Sequence, residues 1–419
     1  MNINRRFFLH RGALAMAGTA AIPGFLMRAV QAEALPGPRC RLVVVFQRGA
    51  ADGLNIVAPY AEKNYYALRP GIAIAANQLH DLDGFFGLHP ALMPFQPLYD
   101  QGHLAIVHAA GLPDTTRSHF DAQDYMESGT PGIKSTQDGW LNRALAAENR
   151  TAETRHRHPM HTAFRAVALD ADLPRTLAGP IPAIALNNVN NFTVGGRGPA
   201  IPAVSATFEN MYAGSGDFIL HRAGEEAFDA MKMLRAADPT RYKPAPGIEY
   251  PASEFGNNMR QIAQLLKTDL GVEVAFTNVN GWDTHRNQGG ASGQLADRLA
   301  DFGQTIAAFW RDLGDEAEHV VLVTMSEFGR TARENGTGGT DHGHANAMFI
   351  LGGHVRGGKV YGQWPGIEDE QLNEGRDLKL TTDYRQVLGE ILLYAMGPLN
   401  LNTVFPGAPA AIGHGLGLI

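Results

Sequence analysis

Acids and imidazoles recur in this chain where short apolar runs stop. Val320–Met325 is followed by Ser326-Glu327-Phe328-Gly329-Arg330-Thr331, and a glycine-rich stretch then brings Asp341, His342 and His344 ahead of a second apolar run, Ala347–Leu351. Val272–Phe276 leads into Gly281-Trp282-Asp283-Thr284-His285, and Leu42–Phe46 into Arg48-Gly49-Ala50-Ala51-Asp52-Gly53-Leu54-Asn55. After His103–His108 comes a polar loop and then Ser118 at the head of an expected helix. Carboxylates, imidazoles and one hydroxyl form a mixed oxygen and nitrogen donor set. Such a set suits zinc or manganese, with magnesium or calcium at its oxygen-rich end. A divalent cation held by Asp52, Asp283, His285, Glu327, Asp341, His342 or His344 would lower the pKa of Ser118 or of a water. It would also offset charge on a transferring phosphoryl or sulfuryl group, whose oxygens Arg48, Asn55 or Arg330 can hold.

Each piece also has a plain reading. Asp52-Gly53 is a turn signature, Ser118-x-x-Asp121 a variant capping box, and Asp283-x-His285 a turn carrying a solvated histidine. Arg155-His156-Arg157-His158-Pro159-Met160-His161 lacks the i, i+4 spacing of helical metal ligands and reads as an exposed loop. The weight falls on convergence. The apolar runs are too short for helices of their own and read as strands buried on both faces. Met259, Ile262, Leu265 and Leu266 mark a helix between strands, and Leu295–Leu313 a longer one, so the second half alternates β and α and implies parallel neighbours. An open parallel sheet binds ligands outside the carboxyl ends of its strands, where these acids and imidazoles lie.

The 419 residues, 44% hydrophobic and 18% charged, suffice for a large α/β core. The first 32 residues read as an export signal: paired Arg5-Arg6 precede Phe7-Phe8-Leu9, a small apolar region follows, and Val30-Gln31-Ala32 offers a cleavage site. Its removal takes four of 35 basic residues, Arg5, Arg6, Arg11 and Arg28, and no acid. That leaves 31 against 42, a net charge of about −11, which attracts neither nucleic acid nor anionic lipid. The single cysteine, Cys40, excludes an internal disulfide. Beyond the signal no apolar run is long enough to span a bilayer, so no membrane association is expected once the signal is removed. Residues from about 131 to 250, rich in proline, glycine and asparagine, read as a cap or insertion over the cleft, with Phe218–Leu234 a surface helix.

The ordered motifs, from the paired arginines through Arg117-Ser118-His119-Phe120-Asp121 to Asp341-His342-Gly343, resemble an uncharacterised family of bacterial twin-arginine-exported proteins related to the alkaline phosphatase and sulfatase superfamily. The resemblance implies a three-layer α/β/α fold over residues 33–419. It implies Asp52 as first-strand metal ligand, Ser118 as helix-capping nucleophile, Asp283 with His285 as a ligand pair, Glu327 as the acid after the next strand, and His342 or His344 as the late ligand. Two departures stand out. The ligand pair is Asp-x-His where the superfamily has Asp-x-x-x-His, and Glu327-Phe328 stands where it has Asp-His, one imidazole fewer. No formylglycine signature surrounds Cys40 or Ser118. The expectation is a periplasmic or secreted protein, carried by the twin-arginine translocase, that hydrolyses small-molecule or glycan esters of phosphate, phosphonate or sulfate with a divalent metal. The alternatives are an exported binding protein of the same fold with at most one structural metal, and a scaffold holding none.

Overall fold

Both faces of the first strand, β1 (Arg41–Arg48), are apolar. Val43 and Val45 point to one side and Leu42, Val44 and Phe46 to the other, none more than 1% exposed. A strand of this composition belongs in the middle of a covered sheet. The computed structural model describes residues 40–148, 164–189, 234, 241–268 and 270–419. In its main sheet β1 is joined by β2 (Leu104–Gly111), β3 (Ala166–Leu169), β4 (Ile184–Ala185), β5 (Val274–Asn280), β6 (Val320–Met325), β7 (Asn346–Gly352), β8 (Lys359–Tyr361) and β9 (Thr382–Asp383), while Val57–Ala58, His80–Asp81 and Gly87–Leu88 form a small separate sheet. The main sheet runs in the order β8-β2-β7-β6-β1-β5-β3-β4, with β9 also on β2. All its pairings are parallel except those of β7, which runs antiparallel to both β2 and β6.

Helices cover both faces. On the Val43 side lie α3 (Glu254–Lys267) and α4 (Gln294–Leu313). On the Val44 side lie α1 (His119–Ser128), α2 (Trp140–Glu148) and α5 (Tyr384–Met396). The buried stripe of α4, Leu295, Leu299, Phe302, Ile306, Phe309 and Leu313, advances by four and three residues in turn, the spacing that keeps one helix face on the sheet. Each such side chain contributes about 1.5–3 kcal/mol by leaving water. The fold is therefore the expected three-layer α/β/α arrangement with a mostly parallel sheet. No helix among the described residues is long and apolar enough to cross a membrane.

Two expectations are corrected. Strands β5 and β6, joined through α4, are parallel but not neighbours, because β1 lies between them, pairing Val44 with Phe276 on one side and with Val323 on the other. Leu92, Met93, Phe95, Leu98 and Tyr99 recur at roughly helical spacing over residues 89–101, but no single helix forms there. Pro94 and Pro97 remove amide donors, and the segment becomes a 3₁₀ stretch, Pro90–Phe95, followed by a short α-helix, Gln96–Asp100. The export signal, the His156–His161 loop and all but the last residue of Phe218–Leu234 lie outside the described residues, as does most of the expected cap.

A buried carboxylate ties the helical layer to the segment that precedes α3. Asp312, 1% exposed near the end of α4, accepts from Ala245 N at 2.8 Å, Lys267 Nζ at 2.7 Å, Tyr250 Oη at 2.8 Å and Tyr242 Oη. Burial alone would raise its pKa, but the bonds from Lys267, Tyr242, Ala245 and Tyr250 outweigh burial and hold it below 3.8. A carboxylate lowered in the folded state contributes stability above its unfolded pKa and loses it as pH falls through the folded one. Asp312→Ala, which leaves the Lys267 ammonium without its partner, should cost about 3–5 kcal/mol in urea unfolding at pH 7. The gap between variant and wild type should close in acid. An equal gap at pH 7 and pH 3 would contradict this account.

Candidate metal centre

Three connections bring the candidate residues to one edge of the sheet. Two leave the carboxyl ends of β2 and β5, and the third leaves the carboxyl end of β6 and enters β7, whose reversed direction puts its amino end on the same side. His119 is the first residue of α1, Asp283 and His285 follow β5, and Asp341 and His342 precede β7. There His119, Asp283 and His342 bring one ligand atom each to within 4.8 Å of one another. His119 Nε2 is 3.0 Å from His342 Nε2 and 3.6 Å from Asp283 Oδ1, and His342 Nε2 is 3.3 Å from that oxygen. His285 Nε2 flanks the group, 3.0 Å from both His342 Nε2 and Asp283 Oδ1.

The tautomers follow from what stands behind each ring. His119 Nδ1 faces Glu327 Oε1 at 2.8 Å, His285 Nδ1 faces Asp341 Oδ1 at 3.0 Å, and His342 Nδ1 faces the carbonyl oxygen of Arg117 at 2.8 Å. A carbonyl and two carboxylates only accept, so each Nδ1 carries a proton, and in the neutral ring each Nε2 presents a lone pair. The Nε2 atoms of His119 and His342 thus converge with the Asp283 carboxylate oxygen, and His285 Nε2 lies beside them. Hydrogen bonding to Glu327 raises the His119 pKa, so a proton there can join His119 to His342. That single proton leaves His285 and Asp283 facing the same point. A divalent cation satisfies the set of His119, Asp283 and His342. Separations of 3.0–3.6 Å match the roughly 3.3 Å edge of a tetrahedral site with ligands at 2.0–2.1 Å, and an Nδ1–H held by a carboxylate or carbonyl is the usual support of a metal-bound histidine. Burial lowers the His342 pKa, and contact with Arg330 lowers that of Asp283 against the effect of burial, so both favour their ligating forms.

The expected ligands divide into those at the centre and those behind it. Asp283, His285 and His342 are there. Glu327, fully buried, stands behind His119 and accepts also from Gly49 N at 2.9 Å, Gln123 Nε2 at 2.8 Å and Ser326 Oγ at 3.1 Å, so its oxygens are occupied. Asp341 stands in the same way behind His285. Asp52 does not reach the centre. Its carboxylate is taken by Arg69 Nη1 and Nη2 at 2.6 and 2.9 Å and by Gln288 Nε2 at 2.6 Å. His344 points Nε2 at the Leu112 carbonyl, 3.1 Å away. Ser118 Oγ caps α1, accepting from Asp121 N at 3.4 Å, and has no contact with the centre among the described residues. Its neighbours do: the Arg117 carbonyl holds His342 and His119 supplies a ring nitrogen.

The expected oxyanion holders are internal. Arg48 donates to Asn278, Gln123 and Glu127. Asn55 accepts from Tyr65 and Arg69 and donates to the Ile72 carbonyl. Arg330, 1% exposed, donates to the carbonyls of Ala50 at 2.7 Å, Gly49 at 2.6 Å, Trp282 at 3.0 Å and Thr340 at 3.1 Å, and to Asp283 Oδ1 at 2.5 Å.

The residue that sequence reasoning missed is His119. It follows a capping serine, and the cap already accounts for the polar residues at that helix start. Phe328, beside Glu327, packs against His119 and His342, with ring centroids 4.9 and 5.1 Å away. Close packing of the loops also needs Gly49. Its φ is +115°, and a Cβ there would lie 2.8 Å from Asp283 N.

A family model described as "Protein of unknown function (DUF1501)" matches residues 39–392, and the chain belongs to that family. No curated protein matches the sequence. Among solved structures, a protein in the alkaline phosphatase superfamily from Vibrio parahaemolyticus aligns at 10% identity, covering 88% of this chain and 69% of its own, with a TM-score of 0.38. The PsFucS1 sulfatase from Pseudoalteromonas sp. aligns at 12% identity over 95% and 76%, with a TM-score of 0.37.

Because Arg330 joins four carbonyls to Asp283, Arg330→Met, which leaves those carbonyls without their donor, should lower the unfolding free energy by about 1–3 kcal/mol. A change under 1 kcal/mol in chemical denaturation would show that the loops hold without it.

Proposed function

We propose that this member of the DUF1501 family is a metal-dependent hydrolase of phosphate or related esters that is exported through the twin-arginine translocase. The observation that carries the reading is the convergence of His119 Nε2, His342 Nε2 and one Asp283 carboxylate oxygen, with His285 Nε2 beside them. His119, Asp283 and His342 would hold the cation, with His285 beside them. Bound there, it supplies Lewis-acid charge that stabilises developing negative charge on the ester oxygens. Glu327, Asp341 and the Arg117 carbonyl fix the ring orientations, and Arg330 offsets the charge of Asp283.

Two features favour a reacting site over a closed structural one. Asp283 and His285 keep side-chain exposures of 44% and 39%, so the centre opens to solvent on their side. The amino end of α1 also lies at the centre, and the free amides of a helix's first turn, with its dipole, suit an anionic ester group. Ser118, between Arg117 and His119, is the nucleophile we assign: its Oγ would attack the phosphorus or sulfur in line, its proton passing to the departing alkoxide, which leaves as the alcohol, and water would then cleave the seryl ester to release phosphate or sulfate.

Purification without chelator or affinity metal followed by elemental analysis should find about one divalent ion per chain, zinc or manganese first. Asp283→Asn should remove it, and Glu327→Gln should weaken binding about 10–100-fold through His119. No stoichiometric ion after incubation with zinc, manganese, magnesium and calcium would overturn the reading. In a screen of phosphate, phosphonate and sulfate esters, Ser118→Ala should abolish turnover. Turnover retained would make water the attacking group and Ser118 only a cap. Metal without turnover of any ester would favour the exported binding protein.

A further inference from the structure

A cavity of about 230 Å³ opens beside the centre and shares a wall with it. The shared residue is Asp341. Its Oδ1 accepts from His285 Nδ1 and from Asn335 Nδ2, both at 3.0 Å, while the residue itself lines the cavity. Asn335 also donates to the His285 carbonyl at 2.9 Å, so the cavity wall is tied to the loop that carries the imidazole.

The lining is mixed in charge. Arg333 and Arg376 supply guanidinium donors, and Glu334, Asp341 and Asp369 carboxylate acceptors. Arg333 and Asp369 have no side-chain ion pair or hydrogen bond among the described residues. A simple anion there would meet three carboxylates and a metal ion or amine two guanidinium groups, so neither sign is favoured. A zwitterion would need one cationic and one anionic pole. Both wall segments instead carry both signs, Arg333 with Glu334 on one and Asp369 with Arg376 on the other. A neutral polyol meets the condition, since every hydroxyl donates one hydrogen bond and accepts others. Leu68 and Leu372 give the C–H face of a ring apolar surface. The volume is below the roughly 300–1,000 Å³ of sites for drug-sized ligands, and suits one ring.

We propose that this cavity seats a sugar ring or comparable neutral polyol, the alcohol part of the ester hydrolysed at the adjoining centre. The ester itself rests on the function proposed above; the recognition of an unesterified ring does not. The test therefore uses free ligands. Saturation-transfer NMR and calorimetry with glucose, galactose, fucose, N-acetylglucosamine and myo-inositol should show binding of at least one, equally in metal-loaded and chelator-treated protein. Arg333→Ala and Asp369→Ala, both at exposed positions, should each weaken it about fivefold or more. Binding of inorganic phosphate or glycine in this cavity in preference to every neutral polyol would overturn the proposal. So would the absence of polyol binding, or binding insensitive to both variants. Polyol binding in a protein that turns over no ester would retain this pocket while the hydrolase reading falls.

Discussion

A guanidinium withdrawn from water has to place its donors, and Arg330 places them on the backbone of three loops at once. The carbonyls of Gly49 and Ala50 follow β1, that of Trp282 follows β5, and that of Thr340 leads to β7. Bonding all four fixes how far apart those strand ends stand. The same fork reaches Asp283 Oδ1, so the charge that would meet a cation is oriented by the group that spaces the loops. Lysine has no such planar set of donors and could not replace it. Ala50 shows the cost: its φ of +63° is unusual for a residue with a Cβ, and is held because its carbonyl is one of the acceptors.

Beneath this clamp lies a second buried pair. Asp52 and Arg69 neutralise each other, and Asp52 also holds Gln288, whose Oε1 accepts from Thr284 and Thr340, both at 2.8 Å. Those threonines sit between Asp283 and His285 and just ahead of Asp341. An acid at the end of the first strand thus reaches the centre through an amide and two hydroxyls. It acts on loop position, which asks for full burial, where a metal ligand would need an open coordination side.

The architecture was largely legible because it depends on apolar runs whose meaning is local. Leu42–Phe46, Val320–Met325 and the α4 stripe each state their own burial. What the runs do not encode is order in space, so the insertion of β1 between β5 and β6 and the reversal of β7 were out of reach. The site divides the same way. Asp283, His285 and His342 were legible because they follow or precede recognisable strands on one edge. Asp52 and Glu327 have the same placement but spend their oxygens on Arg69 and on His119, and no spacing reveals a partner 17 or 208 residues away. His119 was hidden behind an adequate explanation, since a helix cap accounts for Ser118 and leaves the next side chain unasked for.

The connection between Met325 and Asn346 carries Glu327, Arg330, Asp341 and His342, and it is not a loose loop. Gly329 and Thr331 donate their amides to His344 and Asp341, and Gly343 donates back to Gly329, at 2.7–2.9 Å, so the two arms pair like a short extension of the sheet between the adjacent antiparallel strands β6 and β7. A segment tied at both ends and laced across its middle has few independent motions. Access to the centre must then be governed by elements other than this one, and its geometry before a ligand arrives should already be the geometry that receives it.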